Sequence, residues 1–133
     1  MTPDLQSHRS THRIRVRYCE TDRMGVAHHG SHIDWLEEAR TEWMRECGAS
    51  YRDLEDSGVF LQVVDVHVTY QASVTYDDVV VIETFLQEKK RVSITIGYEL
   101  TRESDGVRVG TATTTLACVG EDGKLRRLPD AIG

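Results

Sequence analysis

The chain has 133 residues, 39% hydrophobic and 29% charged, which is the make-up of one ordinary globular domain. Its formal net charge of −6 lacks the basic footprint of a nucleic-acid binder, and no apolar run is long enough to predict a membrane span. MTPDLQSHRSTH has no apolar signal core, and Cys19, Cys47 and Cys118 are odd in number and match no metal spacing, so reduced thiols and a cytoplasmic location are expected.

Residues 1–11 are polar and aperiodic and are expected to be loose. From His12 the chain alternates. Ile14, Val16 and Tyr18 point one way and Arg13, Arg15 and Arg17 the other, as in a half-buried strand. Glu20 to Gly30 reads as a loop, punctuated by Gly25 and Gly30. Ser31 is the expected N-cap of a long helix, with Asp34 three residues on. Ile33, Leu36, Ala39 with Arg40, Trp43 with Met44, and Cys47 form its apolar stripe, and Gly48 its C′ residue. A shorter helical turn follows, capped by Ser50 with Asp53 and ended by Gly58.

The remainder predicts strands. Gln62–Tyr70 puts Val64, Val66, Val68 and Tyr70 on one face, and Val79–Glu88 starts apolar on both faces, as a central strand would. Val92–Leu100 alternates, and Ser104-Asp105-Gly106 makes a hairpin turn. Val107–Val119 is threonine-rich and β-prone, Asp122-Gly123 turns, and Leu125–Leu128 is a short return strand. One long helix can cover only one face of such a sheet, and the opposite face still carries apolar residues. A homodimer at least is therefore expected. An acidic chain can still bind an anionic small molecule through a local cluster, and Lys89-Lys90-Arg91 and Arg126-Arg127 are the two available.

The segment from Arg15 to His32, RVRYCETDRMGVAHHGSH, resembles the signature of the hotdog-fold acyl-CoA thioesterases. The branch it resembles is that of the 4-hydroxybenzoyl-CoA and Tol-Pal-associated thioesterases. Thr21-Asp22, Gly25-Val26, His29 and Glu38-Ala39-Arg40 stand at the motif positions. Tyr70, Tyr76-Asp77-Asp78 and Arg127-Leu128-Pro129 resemble the later segments, with His32 and Ala72 as departures. The resemblance implies an α+β hotdog fold over residues 12–133, a long helix wrapped by a curved antiparallel sheet of five or six strands. The expected assembly is a dimer or a dimer of dimers, and no cofactor is expected.

Thioester hydrolysis needs a nucleophile or an activated water, and donors for the developing oxyanion. By resemblance Asp22 supplies the first, as nucleophile or general base, and the backbone N–H of His29 the second, its side chain also orienting substrate or water. Gly25, Val26 and His32 are expected beside the acyl-CoA, and Lys89, Lys90 and Arg91 beside its phosphates. His28 and His32, with Asp22, have a spacing that invites a metal, but Gly30 and Ser31 interrupt it, so none is expected. Glu37, Glu38 and Glu42 could act from the helix, as in another hotdog branch, but with the loop acid present they read as solvated or structural. Arg40 is expected to pair with one of them or with a carbonyl, and Cys19 to pack. The alternatives are a non-catalytic acyl-CoA-binding module and a hotdog hydratase or dehydratase.

Overall fold

A computed structural model describes residues 3–132, so residues 1, 2 and 133 of the expected segments lie outside the described residues. Five strands form one antiparallel sheet: β1 (Ser10–Arg15), β2 (Val59–Tyr70), β3 (Val79–Lys89), β4 (Ser93–Arg102) and β5 (Arg108–Gly120). Their order is β1-β3-β4-β5-β2. Two helices, α1 (His29–Glu46) and α2 (Tyr51–Asp56), lie between β1 and β2 in sequence. This is the expected α+β arrangement.

Alternation explains the layers. Val80 and Ile82 on β3, Ile94, Ile96, Tyr98 and Leu100 on β4, and Leu116 and Cys118 on β5 are buried. Against them α1 sets Leu36, Ala39, Trp43 and Met44. Each large side chain removed from water contributes about 1.5–3 kcal/mol. Gly48, at φ 74, ends α1, and the Ser50 side chain caps α2 by accepting the Asp53 N–H at 3.2 Å.

Several expectations change. Tyr18 is 77% exposed, because the chain leaves β1 for a 3-10 turn over Tyr18–Glu20 before the alternation reaches it. Cys19, on the same turn, is exposed rather than packed. The apolar stripe of α1 is buried from Leu36 to Cys47 as expected and differs only in its first turn, where Trp35 is buried and Ile33 is 45% exposed. The N-terminal segment is not loose from residue 3 to 11, since Leu5 is buried and the His8 carbonyl accepts from the Trp43 indole at 3.0 Å. Leu125–Leu128 is not a full strand; it makes one bridge, Val119 to Leu125, with backbone bonds from Arg126 to the Cys118 carbonyl and from Leu128 to the Arg91 carbonyl.

The position of uncovered apolar surface also differs. Val63, Val66 and Tyr70 are partly exposed on β2. By register, Val63 and Val66 oppose Leu116 and Thr114, so they lie on the helix-side face. There α1 packs chiefly on β1 and β3 and meets β2 through Tyr70, while α2 packs on β2. Strand β2 is also an edge of the sheet, with one side unpaired.

Candidate active site

Glu20 anchors the loop before α1. Its carboxylate is buried and accepts from the Arg17 amide at 2.8 Å, the Trp35 indole at 2.8 Å and the Arg17 guanidinium at 3.4 Å. Burial pushes its pKa up, but those three donors outweigh burial and hold it below the ordinary carboxylate range. The Glu20 carbonyl then accepts from the His28 amide and the Ser31 hydroxyl, each at 3.0 Å. Residue 20 thus ties the end of β1 to the start of α1. The loop in between closes on itself through a Thr21–Ala27 bridge and an Asp22 amide bond to the Val26 carbonyl at 2.9 Å. Gly25 turns it at φ 80, a conformation that favours glycine.

The N-cap of α1 is His28, not Ser31. Its Nδ1 accepts from the Ser31 amide at 3.2 Å. The ring can cap there because an unprotonated imidazole nitrogen is an acceptor. The first two amides of the helix, of His29 and Gly30, have no acceptor among the described residues. They sit at the positive end of the helix dipole, where an anion is stabilised.

Beside that helix start lies a cleft of about 240 Å³, lined by Val26, Ala27, His29, His32, Tyr70 and Ser73 among others. The His29 ring stacks on Tyr70 with centroids 4.1 Å apart, and the Tyr70 hydroxyl donates to the His29 carbonyl at 3.2 Å. Of the residues singled out in the sequence, Val26, His29 and His32 come together here. Gly25 and Asp22 stand on the adjoining loop and are not part of the cleft wall. The Asp22 side chain is exposed, and its Oδ1 accepts from the Met24 amide at 2.9 Å. In a single protomer it therefore faces solvent at the cleft's edge of the loop.

Lys89, Lys90 and Arg91 line a different cleft, of about 390 Å³, with Arg127, Leu128 and Asp130. The register puts it at the other end of the sheet. Tyr70 opposes Gly110 on β5, while Ser93, just past the basic turn, opposes Ala117. Seven residues of strand separate these levels by about 23 Å. Within one protomer the basic turn is remote from the helix start.

Arg40 does not pair with a helix acid. It is buried, and donates to the Tyr51 hydroxyl at 2.7 Å and the Tyr98 hydroxyl at 3.3 Å; Tyr98 and Thr114 share a further bond at 2.6 Å. Two residues at this site escaped the sequence reading. Glu20 ends a 3-10 turn that breaks the alternation of β1, so no periodic signal marks its burial. Tyr70 carried a motif position but no assigned role, and only the tertiary fold brings it onto His29.

Comparison with known proteins agrees with this architecture. Residues 16–133 match the Thioesterase-like superfamily. The acyl-CoA thioesterase YbgC of Haemophilus influenzae is 30% identical over 114 residues, 85% of this chain and 82% of that protein. A DHNA-CoA thioesterase from Staphylococcus aureus superposes with a TM-score of 0.86 at 36% identity, covering 90% of this chain and 80% of the other. The 4-hydroxybenzoyl-CoA thioesterase from Pseudomonas sp. strain CBS-3 shares the fold, with a TM-score of 0.86 at 23% identity. A long helix on a five-stranded antiparallel sheet, an acid-bearing loop and open amides at the helix start accompany that match, and the chain belongs to the Thioesterase-like superfamily with the hotdog fold.

Proposed function

We propose that this protein hydrolyses the thioester of an acyl-CoA, with Asp22 as the attacking carboxylate or general base and the His29 and Gly30 amides as the oxyanion hole. The observation that carries the reading is the pair of open helix amides beside a cleft, with an acid on the loop that leads into them. As nucleophile, an Asp22 oxygen bonds the thioester carbon and the carbonyl oxygen becomes an oxyanion. Collapse breaks the C–S bond, releases CoA thiolate and leaves an acyl–Asp22 anhydride, which water cleaves. As base, Asp22 takes the proton of the attacking water instead. Two donors aimed at the oxyanion are worth several kcal/mol; one such donor supplies about 3–4 kcal/mol.

The working unit in this reading is a homodimer. Two copies join antiparallel along the open edge of β2, which covers Val63, Val66 and Tyr70. That operation reverses the partner sheet, so the partner's basic turn (residues 89–91) swings toward this protomer's helix start. Lys89, Lys90 and Arg91 then meet CoA phosphates in the neighbouring subunit's site, and a second copy closes over the exposed Asp22. Dimers pair again into a tetramer, and the enzyme acts in the cytoplasm; among the described residues no helix is long and apolar enough to cross a membrane.

The test is release of free thiol from a panel of acyl-CoAs. Thiol is expected to appear with at least one short, medium or aromatic acyl group. Binding without release would assign a non-catalytic acyl-CoA module instead, and water addition across an enoyl group would assign a hydratase.

A further inference from the structure

His32 is 4% exposed and forms part of the wall of the cleft beside the open amides. Its Nδ1 lies 3.2 Å from the His28 carbonyl. A carbonyl oxygen only accepts, so Nδ1 carries the proton. In the neutral ring Nε2 is then a bare acceptor. Burial, and after it the neighbouring His29 and His28 rings, keep this imidazole neutral at physiological pH, despite the bond to the His28 carbonyl.

Nε2 is buried and has no hydrogen-bond partner among the described residues. With Nδ1 bonded back to the His28 carbonyl, the imidazole geometry turns Nε2 away from that carbonyl, and the ring itself is part of the cleft wall. Tyr70, edge-on to His32 at 4.9 Å, has already committed its hydroxyl to the His29 carbonyl. A buried acceptor without a donor is a standing cost, and the group that relieves it when bound is selected over one that cannot. An apolar residue of the same shape would fill this wall without that cost.

We propose that His32 is a specificity-determining residue that selects acyl groups carrying a hydroxyl, whose O–H donates to Nε2, over the same acyl groups lacking it. This rests on the thioesterase reading above. Reaching the nitrogen requires Tyr70, partly exposed at the end of an edge strand, to give way to the bound hydroxyl. Aliphatic and aromatic hydroxyacyl groups share this chemistry, and the cleft admits a short chain or a single ring.

The experiment compares kcat/KM by thiol release in two matched pairs: 3-hydroxybutyryl-CoA against butyryl-CoA, and 4-hydroxybenzoyl-CoA against benzoyl-CoA. In at least one pair the wild type favours the hydroxylated member by about tenfold or more, and His32→Phe brings that ratio close to one. Which pair responds tells the aliphatic source from the aromatic. A second arm needs no variant. As pH falls and His32 takes a proton, Nε2 turns from acceptor to donor, and the wild-type ratio collapses. The titratable groups around it are His28 and His29 at the helix start, Tyr70 on β2 and Glu20 behind Trp35. Those groups act on both members of a pair, so the ratio isolates His32. Hydrolysis of all four substrates with ratios near one, unmoved by His32→Phe or by pH, overturns the assignment and leaves the thioesterase reading standing. No hydrolysis of any acyl-CoA overturns both.

Discussion

Replacing Glu20 by glutamine keeps its shape and removes one acceptor oxygen. The carboxylate uses Oε1 for the Arg17 amide and Oε2 for the Trp35 indole. A glutamine can offer oxygen to only one of them, and its NH2 group then opposes the other donor. One buried N–H is left unsatisfied, at about 1–3 kcal/mol. For a domain of this size that lowers Tm by roughly 3–10 °C. The pH dependence fixes the cause. The folded pKa of Glu20 is held below its unfolded value, so its stabilisation is complete above the unfolded carboxylate range and is lost as pH falls through the folded pKa. Thermal denaturation of wild type and Glu20→Gln should therefore differ fully at pH 7 and converge in acid, as pH falls through and below the ordinary carboxylate range. A variant as stable as wild type at neutral pH, or a difference that stays constant into acid, would refute the clamp. Thiol release should drop as well, because the Glu20 backbone that holds His28 and Ser31 shifts with its side chain.

Three other substitutions probe the fold around the site. Gly110→Ala drives a Cβ into the Thr69 carbonyl across the β2–β5 ladder, where backbone cannot yield cheaply; a loss of about 2 kcal/mol or more is expected by chemical denaturation. Arg40→Met keeps the bulk but strands the Tyr51 hydroxyl, while Tyr98 keeps its bond to Thr114, and should cost about 1–3 kcal/mol, read as a lower denaturation midpoint at unchanged slope. Val66→Asp places a charge on the uncovered helix-side face of β2. Sedimentation should show the proposed dimer falling to monomer, and an unchanged mass would contradict an interface along β2.

The parts of the chain whose structure is set by neighbours in sequence were legible. Gly48, the Ser50–Asp53 cap and the Asp105-Gly106 turn each follow from local backbone chemistry. Alternation located β3, β4 and β5 because both the helix and flanking strands bury them. It failed at Tyr18, where a 3-10 turn resets the phase, and periodicity failed at the first turn of α1, where Ile33 is exposed and Trp35 is buried with its indole on Glu20. His28 as N-cap was hidden because imidazole is an uncommon cap and Ser31 a common one. The Asp22 assignment came from the motif it resembles rather than from periodicity, and a loop acid bonded to Met24 would otherwise read as a turn residue. The remoteness of residues 89–91 from the helix start depends on strand order, which no local pattern encodes.

The most direct test of the central claim is thiol release by Asp22→Asn, measured beside wild type on the best acyl-CoA found, with Tm checked for both. The side chain is exposed and its Oδ1 bond to Met24 can be kept by the asparagine oxygen, so the fold should persist with Tm little changed. The rate should fall by roughly two orders of magnitude or more, because an amide neither attacks the thioester nor accepts a proton from water. An Asp22→Asn protein that folds normally and keeps most of its rate would contradict the account.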